Sequence, residues 1–362
     1  MPIQHEATER PIVRVIMGSL SAVALAALTG CDIPTAAPIV EQRWVVPGET
    51  SRITVASLLP TGVSILPDSS GFTLNADMAA VTRLLSDDCA ACVVGNGLMG
   101  TKPAVLVRAS MLSALASDIS AATLTSGSLA MNVTNNYTFD PLRPNGNAAP
   151  YGTATITVSN GATILGTMII DGATESLPAN GGVLTVNVPL AGGISGATPV
   201  SVAMSVNSPE GTAVMMDASR TIALNARPTN LRVSNAWISV AGRTLHSTSE
   251  MNFSEVGDGI SNRAQRGALL LNIENPFLVT SALSVRLSPD SGAAIVKTVA
   301  LGTGSTTRSI EFSKAELNRL FGRKVTITIS GPADASSGII NVSPKQAVVV
   351  KTRFDLTLSV GG

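Results

Sequence analysis

Leu129–Ala–Met–Asn132–Val–Thr–Asn135–Asn136–Tyr137 recurs further along the chain as Leu269–Leu–Leu–Asn272–Ile–Glu–Asn275–Pro276–Phe277. Each stretch reads as a strand that carries two asparagines three residues apart and ends in an aromatic. A second match lies downstream. Arg220, Ile222, Leu224, Leu231 and Val233 align with Lys345, Ala347, Val349, Leu356 and Leu358 at one constant offset. Copy one is the longer, and its excess falls in the turn-rich stretches PLRPNGNAAP at 141–150 and GATESLPANGG at 172–182. The body therefore reads as an internal repeat, with copies at 105–228 and 229–362.

Within copy two the apolar residues alternate. Val325, Ile327 and Ile329 share one face of a strand and the intervening threonines the other. Ser313–Lys–Ala–Glu316 is a capping-box sequence, and Leu317, Leu320, Phe321 and Gly322 supply an apolar face and a stop, so a short helix is predicted over 314–321. A second helix is predicted over Asn75–Leu85 (NADMAAVTRLL), with Asn75 or Asp77 as N-cap. Short β-branched runs between turns give an all-β fold class, tandem antiparallel β-sandwiches with two short helices. The strand ending in Asn275–Pro276–Phe277, its paired strand, the leucine-bearing helix and the VTITISG strand closing in Gly331 resemble the LEA14/WHy group of seven-stranded β-sandwiches. The resemblance covers roughly 265–362, and more faintly 125–235, where Asn136 replaces the proline. It implies an immunoglobulin-like or fibronectin-like sandwich without enzymatic activity, used as a binding or protective module.

Ahead of the body, Arg10 and Arg14 flank an uncharged run, Val15 to Gly30, that is too short for a confident membrane span. It closes in Leu28, Thr29, Gly30 and Cys31, which resembles the lipobox of a bacterial lipoprotein signal peptide. That resemblance implies cleavage after residue 30 and acylation of Cys31, whose lipid would make the membrane the chain's first partner. Residues 31–42 read as a tether and 43–104 as an N-terminal subdomain. The location implied is the cell envelope, periplasmic or surface-exposed.

Composition narrows the function. The chain has 24 basic and 24 acidic residues, and the signal segment removes Arg10, Arg14, Glu6 and Glu9 in balance, so there is no electrostatic footprint for nucleic acid. Aromatics are 3 % of the chain, with only Trp44, Trp237, Tyr137 and Tyr151 to stack on sugars, which argues against an aromatic-lined carbohydrate face.

Catalytic residues are sparse. His246 is the only histidine beyond the signal segment and sits in a polar stretch that reads as a surface edge. Cys89 and Cys92 form a C-A-A-C that permits a disulfide, half of a zinc site or a redox pair. Zinc lacks further soft ligands, and Asp87 and Asp88 oppose thiolate formation, so a structural disulfide is expected outside the cytosol. Glu250, Glu255 and Asp258 lie in turn-like stretches, as do Asp140, Asn145 and Asn147. The loop Glu255–Asn262 fits no EF-hand spacing. No metal or cofactor is expected. The sequence points to a non-enzymatic binding or structural role with a protein or envelope partner. The alternative is an extracytoplasmic carbohydrate-active or proteolytic enzyme that works through paired carboxylates.

Overall fold

Strand and turn alternate throughout the computed structural model, which describes residues 40–114 and 118–360. The chain opens with β1 (Val40–Thr54), a 3-10 turn at Val55–Leu58, β2 (Val63–Ile65), β3 (Phe72–Leu74) and β4 (Ala79–Leu84). Two short helices follow, α1 (Leu85–Asp88) and α2 (Ala90–Val94), then β5 (Met99–Lys102), β6 (Val105–Ser113), β7 (Ile119–Asn135), β8 (Thr153–Asn160) and β9 (Thr163–Asp171). Next come β10 (Gly182–Pro189), β11 (Gly192–Ser195), β12 (Val200–Ser208), β13 (Gly211–Met215) and the long β14 (Thr221–Ser239). The last third holds β15 (Thr244–Asn252), α3 (Asp258–Ser261), β16 (Ala264–Asn275), β17 (Ser281–Pro289), β18 (Ile295–Leu301) and β19 (Gly304–Phe312). It ends with α4 (Lys314–Leu320), β20 (Lys324–Pro332), β21 (Ile339–Val342) and β22 (Ala347–Val360).

These strands build two antiparallel sandwiches of the same design. In the first, the ladder β10-β7-β14-β4 faces the sheet β6-β12-β8-β9; in the second, β19-β16-β22-β1 faces β15-β20-β17-β18. Strand for strand, the orders coincide. Each inner face is apolar at every second position, as in Val105, Val107, Ala109 and Met111 of β6 or Val325, Ile327 and Ile329 of β20, because successive side chains of a strand point to opposite faces. The buried side chains form one cluster running through both units.

The repeat carries over to individual atoms. Asn135 and Asn275 are both buried at the end of their strands. Asn135 Nδ2 donates to the carbonyls of Phe139 and Leu177, each at 2.9 Å, and its Oδ1 accepts from Tyr137 N–H. Asn275 does the same with Val279, Gly302 and Phe277. One step inward, Asn132 and Asn272 each accept from a threonine of the neighbouring strand, Thr185 and Thr307. The longer loops of the first copy, 136–152 and 172–181, stand against 276–280 and 302–303 in the second. In the downstream match the ladder corrects the offset by one residue: Val133 faces Leu224 while Ile273 faces Val350, so Leu224 corresponds to Val350 rather than Val349. The single offset fails because β14 shifts register between Thr229 and Arg232, around Asn230 at φ 52°, and beyond that bulge Leu231 and Val233 again match the buried Leu356 and Leu358.

Three further expectations are corrected. The helix predicted over Asn75–Leu85 is strand β4, because Ala79–Leu84 pairs residue by residue with Ala226–Thr221 and so covers the edge of β14; a weak local helix preference yields to that ladder. Helix begins only at Leu85. The segment 43–104 is not a subdomain of its own, because β1 pairs along β22 from Val40↔Val360 to Thr54↔Ala347 and supplies the second sandwich with its edge strand. The first sandwich is thus inserted between the first and second strands of the second one, a long-range pairing that no local pattern announces. The division at 228/229 falls inside β14, which runs unbroken through it. In the opposite direction, β21 leaves the second unit and pairs with β14 of the first, Ile339–Val342 against Ser239–Ala236. The two units are interlocked.

The capping box at Ser313 is present, with Glu316 N–H donating to Ser313 Oγ and the Glu316 carboxylate accepting from Ser313 N–H, and α4 follows as expected. At the bulge of β1, Gly48 packs so closely on Thr352 that a side chain has no room, and Thr352 Oγ1 donates to the carbonyl of Glu49.

Candidate ligand groove at the seam between the two units

Leu28, Thr29, Gly30 and Cys31 lie outside the described residues. Among those described, no helix is long and apolar enough to cross a membrane, and no three metal-binding side chains gather in one place.

Cys89 and Cys92 are bonded to each other and buried, with Cys89 capping α2. Buried sulfurs are shielded from an attacking thiolate, which argues against redox exchange and for the expected structural disulfide. The bond closes the first turn of α2 on its own cap; from the end of that helix into β5 and β13, Val94, Leu98, Met99 and Met215 stand exposed, Met99 and Met215 directly opposite in the ladder. Arg83 forms ion pairs with Asp87 and Asp88, so both carboxylates are already engaged.

Behind this corner lies a feature that composition did not indicate, the fully buried Lys102. Its ammonium donates to Ser208 Oγ and to the carbonyls of Ser208 and Pro209, and rests 5.1 Å from the centre of the Phe139 ring. Among the described residues no carboxylate comes within ion-pair distance of it, and the charge of Glu210, acting from further off, offsets only part of the effect of burial. Burial therefore pushes its pKa from 10.5 down to about 8. The unfolded chain then binds more protons than the folded one between those values, so stability rises with pH from 8 towards 10. Above pH 10 the trend reverses, because burial raises the Tyr137 phenol above its usual 10.0 and the unfolded chain loses that proton first. Chemical denaturation at about pH 8 and about pH 9.5 is expected to show a gain of roughly 1 kcal/mol at the higher value, absent in Lys102→Met. A wild-type stability that falls over this interval contradicts the assignment.

His246 is exposed on β15, at the edge of its sheet. Asp140 is structural, its Oδ1 accepting from the backbone N–H groups of Leu142 and Arg143 and its Oδ2 from Leu177. Asn145 and Asn147 brace the same long loop through Glu210 and Arg143. Glu255 lies in the turn before α3 and Asp258 opens that helix. Glu250 does meet another acid: Glu49 accepts from Glu250 N–H at 3.0 Å, and the two line a depression of about 400 Å³ with Lys324. Both glutamates are exposed, so the depression does not shut them away from water.

Sequence reading missed a depression at the seam. It measures about 510 Å³ and exists only because the units interlock. Its floor is the outward face of β14 and β21, where Trp237 and Asn341 sit opposite each other in the ladder and Asn235 lies two residues along. One wall is Pro276 and Leu278, from the loop that follows the buried Asn275; Ile339 and Ile340 add apolar surface from β21, with Ser336, Ser337, Ser343 and Gln346 around it. Asn275 fixes the start of that loop by binding Phe277 N–H and the Val279 carbonyl. Gln346 is held by its Oε1, which accepts from Ser343 N–H at 2.8 Å. Among the described residues no lining side chain is ionisable. The one signal available in the sequence was the Asn275–Pro276–Phe277 motif, which marks the loop but not what it faces.

No known family profile matches the chain, and no curated protein matches it. Among solved structures, a protein of Parabacteroides distasonis described as secreted is similar over 89 % of this chain and 100 % of its own, at 8 % identity and a TM-score of 0.34. The N-terminal CBM22 tandem of Xyn10C from Paenibacillus barcinonensis is similar over 78 % of this chain and 98 % of its own, at 8 % identity and a TM-score of 0.18. Likenesses at these scores say nothing of ligand or activity.

Proposed function

We propose that the protein is a non-enzymatic lipoprotein of the cell envelope, anchored through acyl chains on Cys31, that binds an envelope partner in the seam groove. The observation that carries this reading is the groove itself, an uncharged depression with a half-exposed tryptophan and walls drawn from both interlocked units. The lipobox supports the anchor. Cells fed labelled palmitate are expected to label the wild type and not Cys31→Ser. For the binding role, residues 32–362 are expected to co-sediment with host envelopes, and Trp237→Ala to reduce that retention about tenfold at unchanged melting temperature, as loss of a buried aromatic anchor does. Retention unaffected by Trp237→Ala would contradict binding in the groove.

A carboxylate enzyme is the second reading, favoured by Glu49 and Glu250 lining one depression. A hydrolytic activity that survives purification and disappears in both Glu49→Gln and Glu250→Gln would establish it.

A further inference from the structure

From the chemistry of the seam groove, and resting on its being the binding site, we infer that its ligand is a neutral oligosaccharide. Trp237 is 38 % exposed, so part of its indole face is open to solvent in a chain with few aromatics. The side-chain amides of Asn235 and Asn341 lie beside it on the same outward face of the sheet. Gln346 spends its oxygen on Ser343 N–H, and among the described residues its NH₂ group has no hydrogen-bond acceptor. A sugar ring has the matching anatomy: an apolar C–H face for the indole and a rim of hydroxyls that both donate to and accept from amides.

The absence of ionisable side chains selects among ligands. An anionic glycan, a phosphate polymer or an acidic peptide would leave its charge desolvated and unpaired here. A neutral polyol brings no such cost. The scarcity of aromatics argues against a long stacking platform, but one indole suffices for one ring. The volume, about 510 Å³, falls within the roughly 300–1,000 Å³ of small-ligand sites.

In a Trp44→Phe background Trp237 is the only tryptophan, and its emission reports on the groove directly. Cellohexaose, xylohexaose, mannohexaose and chitohexaose are titrated against it, with poly-glutamate and an uncharged Ser/Thr/Val hexapeptide for comparison. At least one of the neutral sugars is expected to shift the emission saturably. By calorimetry on the otherwise native chain, Trp237→Ala is expected to weaken that sugar about tenfold or more and Asn341→Ala about threefold to tenfold. No shift from any of the four at about 10 mM, or saturation by the peptide or poly-glutamate in their place, overturns the inference. If the sugars fail while Trp237→Ala still abolishes retention on envelopes, the groove binds a partner of other chemistry and only the sugar assignment falls; if retention is also unaffected, the binding reading falls with it.

Discussion

Removal of β1 is expected to unfold the second sandwich although the deletion lies almost two hundred residues from that unit's next strand. Residues 55–362 lack the strand that pairs with β22 from Val360 to Ala347, so the backbone groups along that edge lose their partners. Buried Ile53 leaves the core with it, and so do the contacts that Glu49 makes with Thr352 and Glu250. Compared with residues 32–362, the shortened chain is expected to expose its second unit to protease, with cleavage concentrated in 244–360. A synthetic Val40–Thr54 peptide added during refolding is expected to restore protection, because an open sheet edge accepts an added strand. Unchanged protease resistance of residues 55–362 without the peptide would show that β1 is dispensable.

The second large effect is expected from one side chain. Asn275→Ala removes the donors to the Val279 and Gly302 carbonyls and the acceptor for Phe277 N–H, the Val279 and Phe277 groups buried and the Gly302 carbonyl partly so. Each orphaned buried group costs about 1–3 kcal/mol, so a loss of about 3–4 kcal/mol is expected by denaturant titration. Asn135→Ala is expected to lower the stability by a similar amount. Asn275→Ala also frees the loop that carries Pro276 and Leu278, so it is expected to weaken groove binding where Asn135→Ala leaves it intact. A loss under about 1 kcal/mol for either would mean that the asparagines are merely solvated turn residues.

The asparagines show what was legible in the sequence. Their spacing was visible as a repeat because each must close a loop by the same three hydrogen bonds, and that constraint leaves the same residue at the same place in both copies. Alternation at Val325, Ile327 and Ile329 and the capping box at Ser313 were legible for the same reason, since each is enforced by partners within a few residues. The strand at Ala79–Leu84 was misread because alanine and leucine suit a helix locally, while the edge it covers belongs to β14, far along the chain. The pairing of β1 with β22, the crossing of β21 and the burial of Lys102 all depend on distant partners and leave no periodic trace. The seam groove inherits that invisibility, because Trp237, Asn341 and Leu278 come from segments that meet only once β21 has crossed onto β14.

Interlocking is the claim on which the groove depends, since a seam keeps its shape only if the bodies on either side cannot part. Scanning calorimetry of residues 32–362 tests it most directly. With β1 and β21 crossed between the units, a single transition is expected, its calorimetric and van't Hoff enthalpies equal, and Asn275→Ala should move the whole peak. Two resolved transitions, with only the one belonging to the second unit moved by Asn275→Ala, would show instead two independent sandwiches and no fixed groove between them.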